Sequence, residues 1–214
     1  MRQLILKMTM TLDGFVGGPN GEVDWLFRHR DPAGMKLAVE RINDASLHIM
    51  GSRTFADMIN WWPYADDVLA APMNSIPKAV FTRKGSASIA KAAPTQAIKD
   101  AGAARDTEGG KPRQADAAAL KSWNEAYVAA GPLKEEVEKL KQSDGKPIIA
   151  HGGAGFARNL IAAGVVDEFY LAVFPVALGR GLPIFSDLLQ PLALRLVETK
   201  TSPAGVVAMV YRPA

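Results

Sequence analysis

Two spacings of apolar residues alternate along this chain: short runs that are continuous or of period two, and longer stretches of period near 3.6. Leu4, Ile5, Leu6, Met8 and Met10 predict a buried strand over 4–10. Met35, Ala38, Val39 and Ile42 recur at helical spacing behind Pro32, which suits a first helical turn. Ser46 to Met50 predicts a strand closed by Gly51, and Phe55, Met58 and Ile59 a short helix that stops before Pro63. Lys78 to Phe81 is a further strand. Over 133–141, Leu133, Val137 and Leu140 share one helical face, and Glu135 with Lys139 adds an i,i+4 pair. A strand over 147–150, a helix over 155–163 and a long apolar strand over 168–176 follow. Leu192, Leu194 and Leu196 then alternate with Ala193, Arg195 and Val197, and Val206 to Tyr211 ends the pattern. These last two runs, joined through Thr201 to Gly205, read as an antiparallel hairpin at a sheet end.

Strands alternating with helices, then a final hairpin, predict an α/β fold with a mixed sheet. The chain reads as a single domain over 1–214, interrupted by a surface insertion at about 86–122. That stretch is rich in Ala, Lys, Gly, Gln and Asp, and its apolar periodicity is weak. It reads as a solvated loop with a helical piece near Ala115–Leu120, or as a lid.

Composition narrows the chemistry. Apolar residues at 48% and charged residues at 22% are those of an ordinary globular protein. A net charge of +3 without any dense Lys/Arg block argues against nucleic acid as partner. The absence of cysteine removes disulfides, thiol nucleophiles and thiolate metal sites. His29, His48 and His151 are far apart and lack metal-ligand spacing, so no metal site is expected. No apolar run reaches membrane-spanning length, and cytoplasmic residence is the default expectation.

Three strand ends carry groups suited to phosphate. At the first, Ile148-Ile149-Ala150 runs into His151-Gly152-Gly153-Ala154-Gly155-Phe156 and then a helix. Glycines there clear the way to bare backbone N–H groups, and a helix start favours negative charge. The same glycines would also serve a turn needing positive φ. The dinucleotide fingerprint G-x-G-x-x-G is not matched, which disfavours a Rossmann domain. The second turn, Met50-Gly51-Ser52-Arg53-Thr54-Phe55, adds hydroxyls that can cap the helix or bind phosphate, and a forked guanidinium. The third, Phe81-Thr82-Arg83-Lys84-Gly85, offers a hydroxyl and two cations fit for an adenosine 2′-phosphate. In open α/β sheets, ligands gather at such carboxyl ends of strands.

The order Thr11-Leu12-Asp13-Gly14, Met50 to Phe55, Phe81 to Lys84, His151 to Phe156, Val166 to Leu171 and Pro175 to Phe185 resembles the dihydrofolate-reductase-like superfamily. The branch it is most similar to is the reductase domain of the bifunctional riboflavin-biosynthesis deaminase-reductase, with its stand-alone relatives. The resemblance implies a three-layer α/β/α fold with a mixed, mostly parallel sheet and a C-terminal antiparallel hairpin. It implies NADPH as cofactor. Gly51, Ser52, Arg53 and Thr54 would hold the adenosine side and pyrophosphate. Thr82, Arg83 and Lys84 would face the 2′-phosphate. Gly152, Gly153, Ala154, Gly155 and Phe156 would hold the pyrophosphate and nicotinamide ribose.

At the substrate end the resemblance points to Asp13 as proton relay, with Asp24 as second candidate and Trp25 stacking on a heterocycle or the nicotinamide. Asp13-Gly14 is equally a common turn pair, and simple packing is the alternative reading of Trp25. Trp61 and Trp62 before Pro63 read as a packed helix end. Where folate reductases keep a carboxylate on the first helix, this chain has Arg28-His29-Arg30-Asp31, which argues against dihydrofolate itself. The expected activity is NADPH-dependent reduction of a small heterocyclic or carbonyl substrate by a homodimer; the alternative is a nucleotide-binding sensor without turnover.

Overall fold

An eight-stranded sheet runs through the protein in the order β4-β3-β2-β5-β1-β6-β8-β7. We describe it from a computed structural model covering residues 1–28, 32–85, 89, 93–96, 98, 99, 101–103 and 114–214. The strands are β1 (Leu4–Thr11), β2 (Leu47–Gly51), β3 (Lys78–Phe81), β4 (Tyr127–Ala129), β5 (Ile148–His151), β6 (Glu168–Phe174), β7 (Leu194–Thr201) and β8 (Val207–Pro213). Strands β1 to β6 pair in parallel; β8 pairs antiparallel with both β6 and β7. Both faces of the parallel part are covered, so its strands are almost continuously apolar, as the sequence pattern implied.

The helices are α1 (Asp24–Arg28), α2 (Pro32–Asn43), α3 (Ser52–Ile59), α4 (Ala70–Ser75), α5 (Ala117–Asn124), α6 (Leu133–Lys141) and α7 (Ala154–Ala162), with a 3-10 turn at Trp62–Tyr64. On one sheet face, Leu4, Leu6, Met8, Ile49 and Ile148 pack with Val137 of α6 and Ala157, Leu160 and Ile161 of α7. On the other, Met50, Phe55, Met73, Val80 and Trp123 join Ile42 of α2. This is the expected three-layer α/β/α arrangement with its C-terminal antiparallel hairpin.

Three short elements carried no periodic signal: α1, α4 and β4, none longer than six residues. The long apolar run ends as a strand at Phe174, before Pro175, rather than at Val176. Helix α5 begins inside the stretch read as an insertion, where a helical piece near Ala115–Leu120 is expected, and runs past it to Asn124 as part of the core. Asp116 caps it by accepting from the Ala119 amide at 2.8 Å, and Trp123 is fully buried, donating to Asn74 Oδ1 at 2.9 Å. Most of the remaining insertion, 86–113, lies outside the described residues.

Candidate functional site

The C-terminal ends of β1, β2, β3 and β5 open into one cleft of about 1480 Å³. Every sequence-predicted site residue except Asp13, Asp24 and Lys84 lines it. The turn after β2 and the turn after β5 are clasped together: Thr54 Oγ1 donates to the Gly152 carbonyl at 2.7 Å. Their closeness explains the glycines. Gly153 sits at φ +85°, and a Cβ there would stand 2.7 Å from Thr54 Oγ1. A Cβ on Gly51 would press on Phe156, whose ring packs against Phe81 with centroids 5.2 Å apart.

Helices α3 and α7 both start at this clasp, with Gly51 and Gly153 as N-caps, and neither has a side-chain cap. Their first N–H groups are therefore available to a ligand. Ser52 and Thr54 are not caps; Thr54 is the clasp. Arg53, Arg83 and Arg158 line the cleft, and Asp57 is the single carboxylate among its described lining residues. Burial pushes the Asp57 pKa up, opposed by the hydrogen bond it accepts from the Thr95 amide at 2.7 Å. Two bare helix starts in a cleft lined by Arg53 and Arg83 favour a polyanion, while the Arg158 guanidinium is engaged by Asp187 at 3.1 Å and by the Pro183 carbonyl at 3.0 Å. Lys84 is not among the lining residues, and its amide donates to Thr82 Oγ1 at 3.1 Å to close the turn.

Asp13 does not line the cleft. Its carboxylate accepts from the Leu178 and Gly179 amides at 2.9 and 2.7 Å, and from Thr11 Oγ1 at 2.5 Å. The Thr11 bond, followed by these amides, holds its pKa below the usual carboxylate range. Asp13 is thus a brace between the loop after β1 and the loop after β6. Leu12, Val16 and Leu182 extend that brace through backbone bonds: Leu12 N to Val176 O, Val16 N to Leu182 O, and Leu182 N to Gly17 O. Asp24 is exposed in the first turn of α1, where a carboxylate favours the helix start. Trp25 is buried at the cleft wall, edge-on to Phe174 at 5.7 Å. Trp61 and Trp62 also line the cleft. The basic stretch at 29–31 lies outside the described residues.

The sheet face beneath the cleft carries titratable residues that the sequence reading passed over. Lys7 on β1 is in register with Tyr170 on β6 and His151 on β5, and all three line the cleft. His151 meets His48 of β2 edge to face, ring centroids 4.6 Å apart, and His48 is in register with Lys78 of β3. Five neighbouring strands thus place titratable side chains on the same face. Burial lowers the Lys7 and Lys78 pKa values to about 8. Burial, then the nearby Lys78 and Lys7 charges, lowers His48 to about 3, and burial with His48 and Lys7 keeps His151 well below its ordinary value. Lys7 was legible as the one charged residue inside the first apolar run.

A sequence profile of the RibD C-terminal domain family matches residues 2–208. The uncharacterized protein YyaP of Bacillus subtilis is 32% identical over 215 residues, covering 98% of this chain and 94% of that protein. The fold is shared with the diaminohydroxyphosphoribosylaminopyrimidine deaminase/5-amino-6-(5-phosphoribosylamino)uracil reductase of Thermotoga maritima: TM-score 0.63 and 17% identity, over 100% of this chain and 57% of that one. It is shared too with an Enterococcus faecalis dihydrofolate reductase complexed with NADP(H): TM-score 0.57 and 14% identity, over 99% and 96%. The chain belongs to the RibD C-terminal domain family, on a dihydrofolate-reductase-like fold.

Proposed function

We propose that this protein is an NADPH-dependent reductase of a small heterocyclic or carbonyl substrate. The observation that carries the proposal is the clasp: two uncapped helix starts locked by Thr54 and Gly152, in a cleft that Arg53 and Arg83 also line, with one carboxylate among its described lining residues. These groups fit a dinucleotide diphosphate. The α3 and α7 amides would take the pyrophosphate, Thr82 and Arg83 the 2′-phosphate, and Gly155 and Phe156 the nicotinamide ribose. When bound, NADPH supplies a hydride. The protein's own part is to orient both partners, exclude water with Trp25 and the braced loops, and hold a proton nearby. Asp13 and Asp24 do not face the cleft, so the proton falls to Lys7, which lines it with a lowered pKa. The working unit is proposed to be a homodimer.

The test is a titration with NADPH and NADH followed by tryptophan emission, since Trp25, Trp61 and Trp62 line the cleft. Saturable quenching with a clear preference for NADPH is expected. If neither nucleotide binds, the glycine turns serve the fold alone and the reductase reading falls.

A further inference from the structure

The cofactor groups account for the part of the cleft where α3 and α7 start. Another part of its wall comes from α2, the last turn of α3, the 3-10 turn and α4, and α4 packs against both α2 and the 3-10 turn. That wall is apolar and aromatic. Met35, Met58, Trp61, Trp62 and Leu69 all line the cleft, and all are only half-buried. Met58, Trp62 and Leu69 rest on the buried core formed by Ile42, Met73 and Trp123. Contiguous apolar surface left facing a cleft marks a binding place, and two tryptophans with two thioethers suit a flat ring.

The wall is held from behind. Asn74 of α4 donates from Nδ2 to the Trp62 carbonyl and accepts from Trp123 Nε1, both at 2.9 Å. The Asp116 amide donates to the Pro63 carbonyl at 2.9 Å, and the Leu69 amide to Asp67 Oδ1 at 2.9 Å. The turn uses its amides internally: Trp61 N donates to the Met58 carbonyl, Tyr64 N to the Trp61 carbonyl and Ala65 N to the Trp62 carbonyl. Among the described lining residues, α2, the 3-10 turn and α4 contribute no cation. Lys7 is on β1, Arg83 follows β3, Arg158 of α7 is engaged by Asp187, and Arg53 stands at the start of α3. The charge this wall does carry is Asp57, next to Met58, whose carboxylate accepts from the Thr95 amide. A phosphate or carboxylate placed here would meet a carboxylate and no counter-ion.

We infer that this wall is a subsite for an aromatic substituent of the substrate that carries no negative charge, and that a substrate extended by a phosphate is refused there. This deepens the reductase proposal and rests on it for the word substrate. The anions of the cofactor go to the helix starts and the arginines, and the ring goes to the tryptophans and methionines. Asp57 sharpens the choice: it accepts a neutral ring edge or an N–H beside Met58 and repels an anion.

The test compares 2-naphthylmethanol, its fully saturated decalin analogue and 2-naphthyl phosphate, each added to protein saturated with NADP⁺. Binding is read from the indole N–H signals in ¹H–¹⁵N NMR spectra, a readout independent of turnover. The chain has four tryptophans, and substitution assigns each signal. 2-Naphthylmethanol is expected to shift the Trp61 and Trp62 signals most. The saturated analogue should bind about threefold or more weaker, and the phosphate about tenfold or more weaker. Trp61→Leu should lose about tenfold for 2-naphthylmethanol while NADP⁺ affinity is unchanged. Asp57→Asn should keep 2-naphthylmethanol and narrow its lead over the phosphate, and Met58→Lys should reverse the preference. A phosphate that binds as tightly as the alcohol, equal affinity for the saturated analogue, or unmoved Trp61 and Trp62 signals would overturn the inference. So would Trp61→Leu weakening NADP⁺ as much as 2-naphthylmethanol, since Trp61 would then serve the cofactor. If wild-type protein fails to bind NADP⁺, the cofactor reading falls, and the Trp61 and Trp62 shifts in the same series without nucleotide still decide the subsite.

Discussion

At the scale of single residues, the cleft is governed by which atoms can stand near a ligand. Arg53 and Arg83 line it from exposed turns. Arg83→Ala is expected to weaken NADPH about ten- to a hundredfold, the range for one charge-assisted hydrogen bond, and NADH much less. Equal losses in a two-cofactor titration would remove Arg83 from the 2′-phosphate. Gly153→Ala forces a side chain into φ +85° and onto Thr54 Oγ1. A loss of about 1–2 kcal/mol in urea unfolding is expected, together with weaker nucleotide binding from the broken clasp. The cofactor side of the site was legible because glycines and cations at strand ends advertise themselves in sequence. Asp13 was not: a carboxylate before a glycine looks the same whether it meets a substrate or the amides of Leu178 and Gly179, which lie over 160 positions away. His48 and His151 were set aside for want of ligand spacing. Only strand register shows that they touch.

At the scale of elements, the longer strands and helices were readable because burial on one face imposes period 2 or 3.6. Helices α1 and α4 and strand β4 were not, being too short to complete a period. Helix α5 shows a second limit: its alanines and single Trp123 do not look like a core face, though that tryptophan fills the layer against Phe55, ring centroids 5.6 Å apart. Trp123→Ala is expected to destabilise by about 3–5 kcal/mol, read as a drop in the denaturant midpoint. A change below 1 kcal/mol would place α5 outside the cooperative core. The row of bases across β5 and β2 makes an acid-sensitive layer. His48 and His151 stay neutral when folded, while in the unfolded chain they take up protons below about pH 6.5. The unfolded state therefore binds more protons in that window, and stability falls with falling pH by about 1.4 kcal/mol per unit for each histidine. Thermal melts from pH 7 to pH 4.5 should show this slope, reduced in His48→Gln; a Tm independent of pH would contradict it.

At the scale of the whole molecule, the sheet has two unequal ends. Strand β4 closes one with three residues, while β7 leaves the other open for eight, with Leu196 and Val197 51% and 41% exposed. An exposed edge strand of that length, with Leu196 and Val197 in its first half, is a pairing surface. If the homodimer proposal holds through this edge, light scattering should give twice the chain mass of 22.9 kDa, and Leu196→Lys should halve it. Wild-type protein at the single-chain mass would exclude the assembly. The strand order also governs how the chain is born. Of these eight strands β1 is made before the others but lies between β5 and β6, whose first register partners to it are Ile148 and Glu168. A largely apolar eight-residue strand must therefore wait for more than 130 further residues before either neighbour exists. Synthesis of the middle of the molecule is a period of exposure, and nascent chains arrested before Phe174 should remain protease-sensitive and bound to chaperones.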